Sequence, residues 1–260
     1  MPLNGLSFDA ITVRYGVGRR ALTAVDGVSL TVPHGAVVGL VGESGSGKST
    51  LGRAVVGLAP VCSGRVLLGD EDITHARGAR RRQLGSRVQV VFQNPHTALD
   101  PRMTVGETIR EALSAHRKVS RADRIVETAR LLELVALDPT LEAALPRRLS
   151  GGQRQRVGLA RALAVEPDVL IADEITSALD ASVQSAILNL VRELRARLDL
   201  TILFIGHNLG AVRYVADTIA VMRLGKIVEV APTDELFSAP QHPYTRSLLD
   251  SVPQINRRSR

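Results

Sequence analysis

A continuous apolar run, Ala36 to Val41, leads directly into Gly42-Glu43-Ser44-Gly45-Ser46-Gly47-Lys48-Ser49-Thr50, and a helical pattern then runs from Ser49 to Leu58. This order of strand, glycine-rich loop and helix satisfies G-x-x-x-x-G-K-[ST] in the context that motif requires. Glycines let the backbone wrap so that successive N–H groups face phosphate oxygens. The helix starting near Lys48 adds its positive dipole end, and the ammonium adds a point charge. Ser49 is then available to coordinate Mg²⁺. A Gly/Ser-rich turn would match the motif by accident on the order of once in a hundred chains of this length, and placement after a buried strand lowers that rate.

Elsewhere the chain alternates two apolar periods. Leu6 to Tyr15 repeats every second residue, as does Val28 to Val32 after the turn signal Asp26-Gly27, which predicts an opening antiparallel β layer. Short apolar runs at Val88 to Phe92, Val169 to Ala172, Thr201 to Ile205 and Thr218 to Met222 alternate with helical patterns and fit the buried parallel strands of a wound α/β sheet. Between Phe92 and Val169 the pattern gives only amphipathic helices, at Thr104 to His116, Arg121 to Leu137 and Gly151 to Ala164, so a helical insertion interrupts the sheet. Further strands are expected around Ala220 and Ile227. A short helix with an acidic start follows from Thr233, the chain breaks at Pro240 and Pro243, and the end is expected to fray at Arg257 to Arg260.

A hydrophobic share of 45% over 260 residues suffices for a large core. The single cysteine, Cys62, excludes an internal disulfide and any Cys-based zinc or iron–sulfur site made by this chain alone, and points to a reducing, cytosolic setting. No apolar run approaches the ~20 residues that span a bilayer, and residues 1–16 lack a signal-peptide core. The formal charge of +7 is almost wholly arginine, since lysine occurs only at Lys48, Lys118 and Lys226. Arg77, Arg80, Arg81, Arg82 and Arg87, with Arg257, Arg258 and Arg260, read as solvated surface. Aromatics at 3% and the absence of Trp argue against a nucleic-acid groove, while attraction to anionic lipid or an acidic partner stays open.

Val169-Leu170-Ile171-Ala172-Asp173-Glu174 is an apolar strand ending in two acids. At the carboxyl end of a parallel strand such acids face the same crevice as the phosphate loop. Asp173 is a candidate for the Mg²⁺ shell, and Glu174 for the base that accepts a proton from water in phosphoanhydride hydrolysis. A strand capped by acids is common by itself, and the phosphate loop gives this one its weight. Leu149-Ser150-Gly151-Gly152-Gln153 repeats the anion-binding device, with a capping serine and two glycines at a helix start.

That pentapeptide is the signature of ATP-binding-cassette (ABC) proteins, and nearly the whole chain, from Leu3 to about Pro253, resembles that family. The resemblance implies an α/β fold of the P-loop NTPase (RecA-like) type, with an N-terminal antiparallel β layer and an inserted α-helical subdomain. It implies a single ATP-binding domain, with a core over about 1–93 and 165–230, a helical subdomain over about 94–164 and a tail over about 231–260. In the family two cassettes pack head to tail, so Ser150, Gly151, Gly152 and Gln153 would act on the partner's nucleotide. Tyr15 matches the aromatic that stacks on adenine. Gln93 matches the glutamine that meets Mg²⁺ and water and links the site to membrane subunits. Asp180, in Ser177-Ala178-Leu179-Asp180, matches the acid of the loop crossing the dimer interface, and His207 the histidine at the γ-phosphate. Three positions depart from the pattern: Ile175 stands where proline generally follows the catalytic glutamate, Gly206 where Ser or Thr often precedes the histidine, and Asn208 where aspartate usually follows it.

Gln93-Asn94-Pro95-His96-Thr97-Ala98-Leu99-Asp100-Pro101-Arg102-Met103-Thr104-Val105-Gly106, and His242-Pro243-Tyr244-Thr245 with Ser247-Leu248-Leu249, resemble the oligopeptide, dipeptide and nickel importer branch. What this implies is an ATPase peripheral to the cytoplasmic side of the inner membrane. It would use ATP and Mg²⁺, contact two transmembrane permease subunits through the Gln93 and Asp100 region, and serve an extracytoplasmic binding protein indirectly. The resemblance favours a heterodimer with a second cassette subunit over a homodimer. With no cysteine after Cys62, no iron–sulfur cluster is expected. Rival readings are an importer ATPase for nickel or another small solute, a soluble cassette ATPase acting on DNA or ribosomes, and a nucleotide-binding scaffold that does not hydrolyse. The solute itself is not legible in this chain.

Overall fold

The structure is a computed structural model that describes residues 5–16, 18, 21–93, 99–116 and 120–251. Residues 94–98 of the importer-like stretch, Lys118, and the arginines at 257, 258 and 260 lie outside the described residues. Two sheets are stacked. Strands β1 (Leu6–Tyr15), β2 (Leu22–Val32), β4 (Val61–Leu68) and β5 (Glu71–Asp72) form an antiparallel layer in the order β2-β1-β4-β5. The second sheet has the order β10-β9-β3-β8-β7-β6. In it β3 (Val37–Val41), β6 (Val88–Val91), β7 (Val169–Asp173), β8 (Thr201–Gly206) and β9 (Thr218–Arg223) run parallel, and β10 (Lys226–Pro232) closes the edge antiparallel.

Strand β3 shows why this arrangement forms. All five of its residues are buried, and because side chains alternate, Val37 and Val41 enter one core while Val38 and Leu40 enter the other. Ile202 and Phe204 of β8 share the first core, and Leu203 and Ile205 the second. The second core lies under the antiparallel layer and α1 (Lys48–Val55), and includes Leu6, Phe8, Ile11 and Leu51. The first holds the helical insertion α3 (Val105–His116), α4 (Arg121–Leu134) and α5 (Gly151–Leu163), together with α6 (Ala181–Leu198) and α7 (Leu209–Val215). Val105, Ile109 and Leu113, spaced four apart, form the buried stripe of α3. The last elements among the described residues are the short helix α8 (Thr233–Ser238) and α9 (Pro243–Asp250).

Three expectations are corrected and one strand is added. Asp26-Gly27 is no turn between elements: β2 runs through it, Gly27 taking φ 59° at a register shift between Ile11 and Val13 and donating its N–H to Thr12 Oγ1 at 3.1 Å. Such a bulge uses the same left-handed glycine that a turn does. The strand at Val61–Leu68 has no clean alternation and went unread. Of the arginines at 77–87, Arg77 and Arg82 are exposed as read, while Arg80, Arg81 and Arg87, all on α2 (Gly78–Arg87), are not simply solvated. Arg87 bridges Glu71 at 3.1 Å and Asp168 at 2.7 Å, Arg80 pairs with Glu71, and a terminal nitrogen of Arg81 is buried. The helices also end earlier than read, at Leu134 rather than Leu137 and at Val55 rather than Leu58.

Gly39, central in β3, lets α7 approach the sheet: a Cβ there would lie 2.2 Å from Val212 Cγ1 and 3.1 Å from Ala216 Cβ. Gly39→Ala should therefore lower the unfolding free energy by about 1–3 kcal/mol through overpacking, seen as a reduced denaturant midpoint at unchanged slope.

Candidate functional site

The phosphate loop joins β3 to α1 and depends on glycine at three points. Gly42, Gly45 and Gly47 take φ of 153°, 80° and 105°, values that L side chains resist. A Cβ at Gly42 would lie 2.0 Å from the Met222 carbonyl oxygen, and one at Gly47 2.2 Å from that of Ala24. Strands β9 and β2 thus wall the loop on its outer side. Inside it, Lys48 is 4% exposed and its ammonium donates to Gly42 O at 2.8 Å, Glu43 O at 2.7 Å and Ser46 Oγ at 3.4 Å. Burial lowers the Lys48 pKa, an effect opposed by the carboxylates of Glu174, Asp173 and Glu43.

Ser49, on the first turn of α1, donates its hydroxyl to Asp173 Oδ1 at 2.7 Å. This bond spans the loop and the end of β7, so the two halves of the site meet directly. Asp173 is buried, and desolvation raises its pKa against the Ser49 hydrogen bond and the Arg53 charge. Burial therefore disfavours the charge on both Lys48 and Asp173. A polyanion beside the first and a cation beside the second would each supply the missing counter-charge. A triphosphate with its divalent metal fits this donor set.

Glu174 follows at once, and its conformation is unusual. Its φ is 50°, a left-handed value uncommon outside glycine, and it is held there because its N–H donates to Ile205 O at 2.9 Å and its carbonyl accepts Ser177 N–H at 3.1 Å. The carboxylate comes within 3.5 Å of His207 Nδ1. Behind the pair is a cavity of about 100 Å³, lined in part by Thr176, Gln184, Phe204 and Asn208, with room for a few waters. Ile175, standing where the resemblance leads one to expect proline, is 1% exposed and anchors the turn by packing instead of by ring stiffness. Asn208 caps α7 by accepting from Ala211 N–H at 3.2 Å, a task aspartate would perform equally.

Gln93 reaches this turn. Its amide donates to Ser177 Oγ at 3.1 Å, and Ser177 Oγ donates to Glu174 O at 2.9 Å. The side chain is committed to Ser177 here and makes no bond to Ser49 or Asp173. Asp180 caps α6, accepting from Val183 N–H at 2.9 Å and Ser182 Oγ at 2.7 Å, and the bond from the Val183 N–H is the chief cause of its lowered pKa. The signature segment opens α5 with a reciprocal cap: Gln153 N–H donates to Ser150 Oγ at 3.2 Å and Ser150 N–H to Gln153 Oε1 at 2.8 Å. Gly152 has to be small, because a Cβ would meet Val183 Cγ1 at 2.4 Å. Among the described residues no hydrogen bond joins residues 150–153 to residues 42–50 of the same chain. Tyr15, 38% exposed, pairs with Leu22 at the end of β1, and Ala24, whose carbonyl abuts Gly47, lies two residues along β2.

Two contacts of the site escaped the sequence reading. Ser177 stands in the sequence only as part of an interface loop, and Tyr244 only as part of the importer-like C-terminal stretch, although its hydroxyl accepts the Glu43 N–H at 3.1 Å. The latter partners are 201 residues apart, and local patterning carries no trace of them.

Residues 25–177 match the ABC transporter family model, and residues 228–260 match the model of the oligopeptide/dipeptide transporter C-terminal region. A protein of Brucella abortus (strain 2308), named as a candidate peptide import ATP-binding protein, is 48% identical over 241 residues, covering 92% of this chain and 72% of the relative. One of Brucella ovis with the same designation is 43% identical over 248 residues, covering 95% and 78%. The ATP-binding cassette MJ0796, solved as a dimer in a post-hydrolysis state bound to ADP and Pi, superposes with a TM-score of 0.79 at 26% identity, covering 88% of this chain and 98% of that one. For cbiO1 of Clostridium perfringens, part of the ABC transporter complex cbiONQ, the TM-score is 0.80 at 27% identity, with 90% of each chain covered.

Because a methyl group at Gly47 collides with backbone at a left-handed φ, Gly47→Ala should weaken ATP binding by about tenfold or more, the equivalent of ~1.4 kcal/mol or more of strain. Equilibrium titration with a fluorescent nucleotide would register it.

Proposed function

The chain belongs to the ABC transporter family, and from that premise we propose that it is the ATP-hydrolysing subunit of a bacterial ABC importer for peptides. The observation that carries this is the Ser49–Asp173 clasp with Glu174 and His207 beside it. The match of residues 228–260 to the oligopeptide/dipeptide transporter region and the peptide-import designation of the relatives support the transported class.

In this reading the phosphate loop N–H groups and Lys48 hold the β- and γ-phosphates, and Tyr15 stacks on adenine. Ser49 and Asp173, with Gln93 nearby, would hold Mg²⁺, which neutralises phosphate charge when bound. Glu174 accepts a proton from the water that adds to the terminal phosphorus, while the bond to the bridging oxygen breaks and ADP leaves. His207, 3.5 Å from that carboxylate, is positioned to steady it and the γ-phosphate. Ser150, Gly151, Gly152 and Gln153 act on the nucleotide of a second cassette, a different subunit in preference to a second copy of this chain. The dimeric cassette MJ0796 is the precedent for such pairing. Asp180 lies at the same interface.

Two membrane permeases would press on the side facing Gln93. A mostly apolar groove of about 450 Å³ opens beside the end of β6, lined by Val56, Leu58, Val90, Phe92 and Ala115 together with Glu111 and Arg161. Leu58 is 63% exposed in it, and in this reading the groove is where a permease helix would pack. No helix among the described residues is long and apolar enough to cross a membrane; in the proposed assembly the chain sits peripherally on the cytoplasmic face of its permeases. A binding protein outside the membrane would be served indirectly.

Glu174→Gln keeps the shape and removes the base. The expected result is ATP binding at wild-type strength, an accumulated ATP-bound dimer in size-exclusion chromatography, and phosphate release slowed by about 10²- to 10⁴-fold. Unchanged release would refute the assignment.

A further inference from the structure

We infer that Tyr244, carried on the C-terminal helix, is a positioning residue for the phosphate loop, setting the orientation of the Gly42–Glu43 peptide and with it the affinity for nucleotide. The inference rests on the reading of that loop as the ATP site and adds to it a part assigned to no role so far.

One peptide unit is gripped from two sides. Its carbonyl, Gly42 O, accepts Lys48 Nζ at 2.8 Å, and its N–H, that of Glu43, donates to Tyr244 Oη at 3.1 Å. The two groups of a trans peptide point in opposite directions, so Lys48 and Tyr244 hold the plane like opposed fingers. Rotation of this plane is otherwise easy on its Gly42 side, since Gly42 has no Cβ to restrict ψ. The Glu43 N–H is thus held by Tyr244 from outside the loop.

The tyrosine is itself firmly set. It is 7% exposed and packs in the core shared with the helical insertion. The Arg223 guanidinium lies over its ring, 4.8 Å from the centroid, and Arg223 follows Met222, whose carbonyl abuts Gly42. His242 caps the helix by accepting Tyr244 N–H at 3.1 Å, and Glu229 of β10 receives the N–H groups of Gln241 at 2.8 Å and His242 at 3.0 Å. The His242 to Thr245 motif therefore braces a hydroxyl against the loop 201 residues away.

The brace matters most when nucleotide arrives. Lys48 is shared among two loop carbonyls and Ser46. A phosphate competing for the same ammonium weakens its hold on Gly42 O and leaves Tyr244 as the remaining restraint on the peptide. Without that hydroxyl a partly buried N–H has no partner and the loop samples turned-away orientations, which lowers affinity without touching the reacting groups.

The test is Tyr244→Phe, which keeps the ring, its packing and the Arg223 contact. Expected are an ATP Kd and KM raised about fivefold, the size of one lost hydrogen bond, with kcat within about twofold of wild type. Hydrogen exchange at the Glu43 amide should be faster and exchange in the α9 helix unchanged. A Kd equal to wild type would overturn the proposal, as would a loss of affinity that merely follows a lowered Tm with the Glu43 amide unaffected. Exchange on the unmodified protein without nucleotide is an independent check: the Glu43 amide must be protected, and exchange at the rate of an open loop sinks the idea. If the unmodified protein fails to bind ATP at all, the reading of the site fails instead, a result distinct from any of these.

Discussion

Everything at the nucleotide face is organised around a buried ammonium. Lys48 has been taken out of water and given back only carbonyl and hydroxyl oxygens, with Glu174, Asp173 and Glu43 supplying distant negative charge. A cation so placed is costly until an anion joins it. The loop around it cannot collapse further, because the Met222 and Ala24 carbonyls stand where side chains on Gly42 and Gly47 would go. The site is therefore shaped before it is filled. This preorganisation is what gives a phosphate more to gain here than in water.

Much of this was visible in the chain before folding. The phosphate loop is a local object: its glycines, lysine and serine lie within nine residues, and the flanking apolar run and helix pattern fix its context. The buried strands at 37–41, 169–173, 201–206 and 218–223 were legible for a similar reason, since strands covered on both faces must be apolar throughout. The edges were harder. Strand β4, 61–68, is half-exposed with a glycine at φ 83° in it, and its apolar period is too weak to read. Asp26-Gly27 misled because a bulge and a turn make the same demand on glycine.

The site divides along the same line. Asp173 and Glu174 could be proposed because they end an apolar strand, but the Ser49 bond that joins them to the loop crosses 124 residues. Nothing local reports such a span. Roles for Gln93, Asp180 and His207 came from resemblance, and the structure gives them partners the sequence could not: Ser177, the Val183 N–H and Glu174. The arginine cluster illustrates the converse error. Arg87 looked like one surface charge among several, yet it ties α2 to the start of β7 through Asp168.

The tight approach of Gly152 to Val183 has a mechanical corollary. The turn after Glu174 runs through Leu179 and the Asp180 cap into the helix bearing Val183, and Leu179 Cδ2 would be 3.3 Å from a Cβ on Gly151. The tip of α5 and the segment leaving the Glu174 turn are thus packed directly against each other. In a head-to-tail pair of the kind proposed, where that tip would touch the neighbour's nucleotide, this contact would link each site to the opposite one. Two such centres would be unable to fire or reset as strangers.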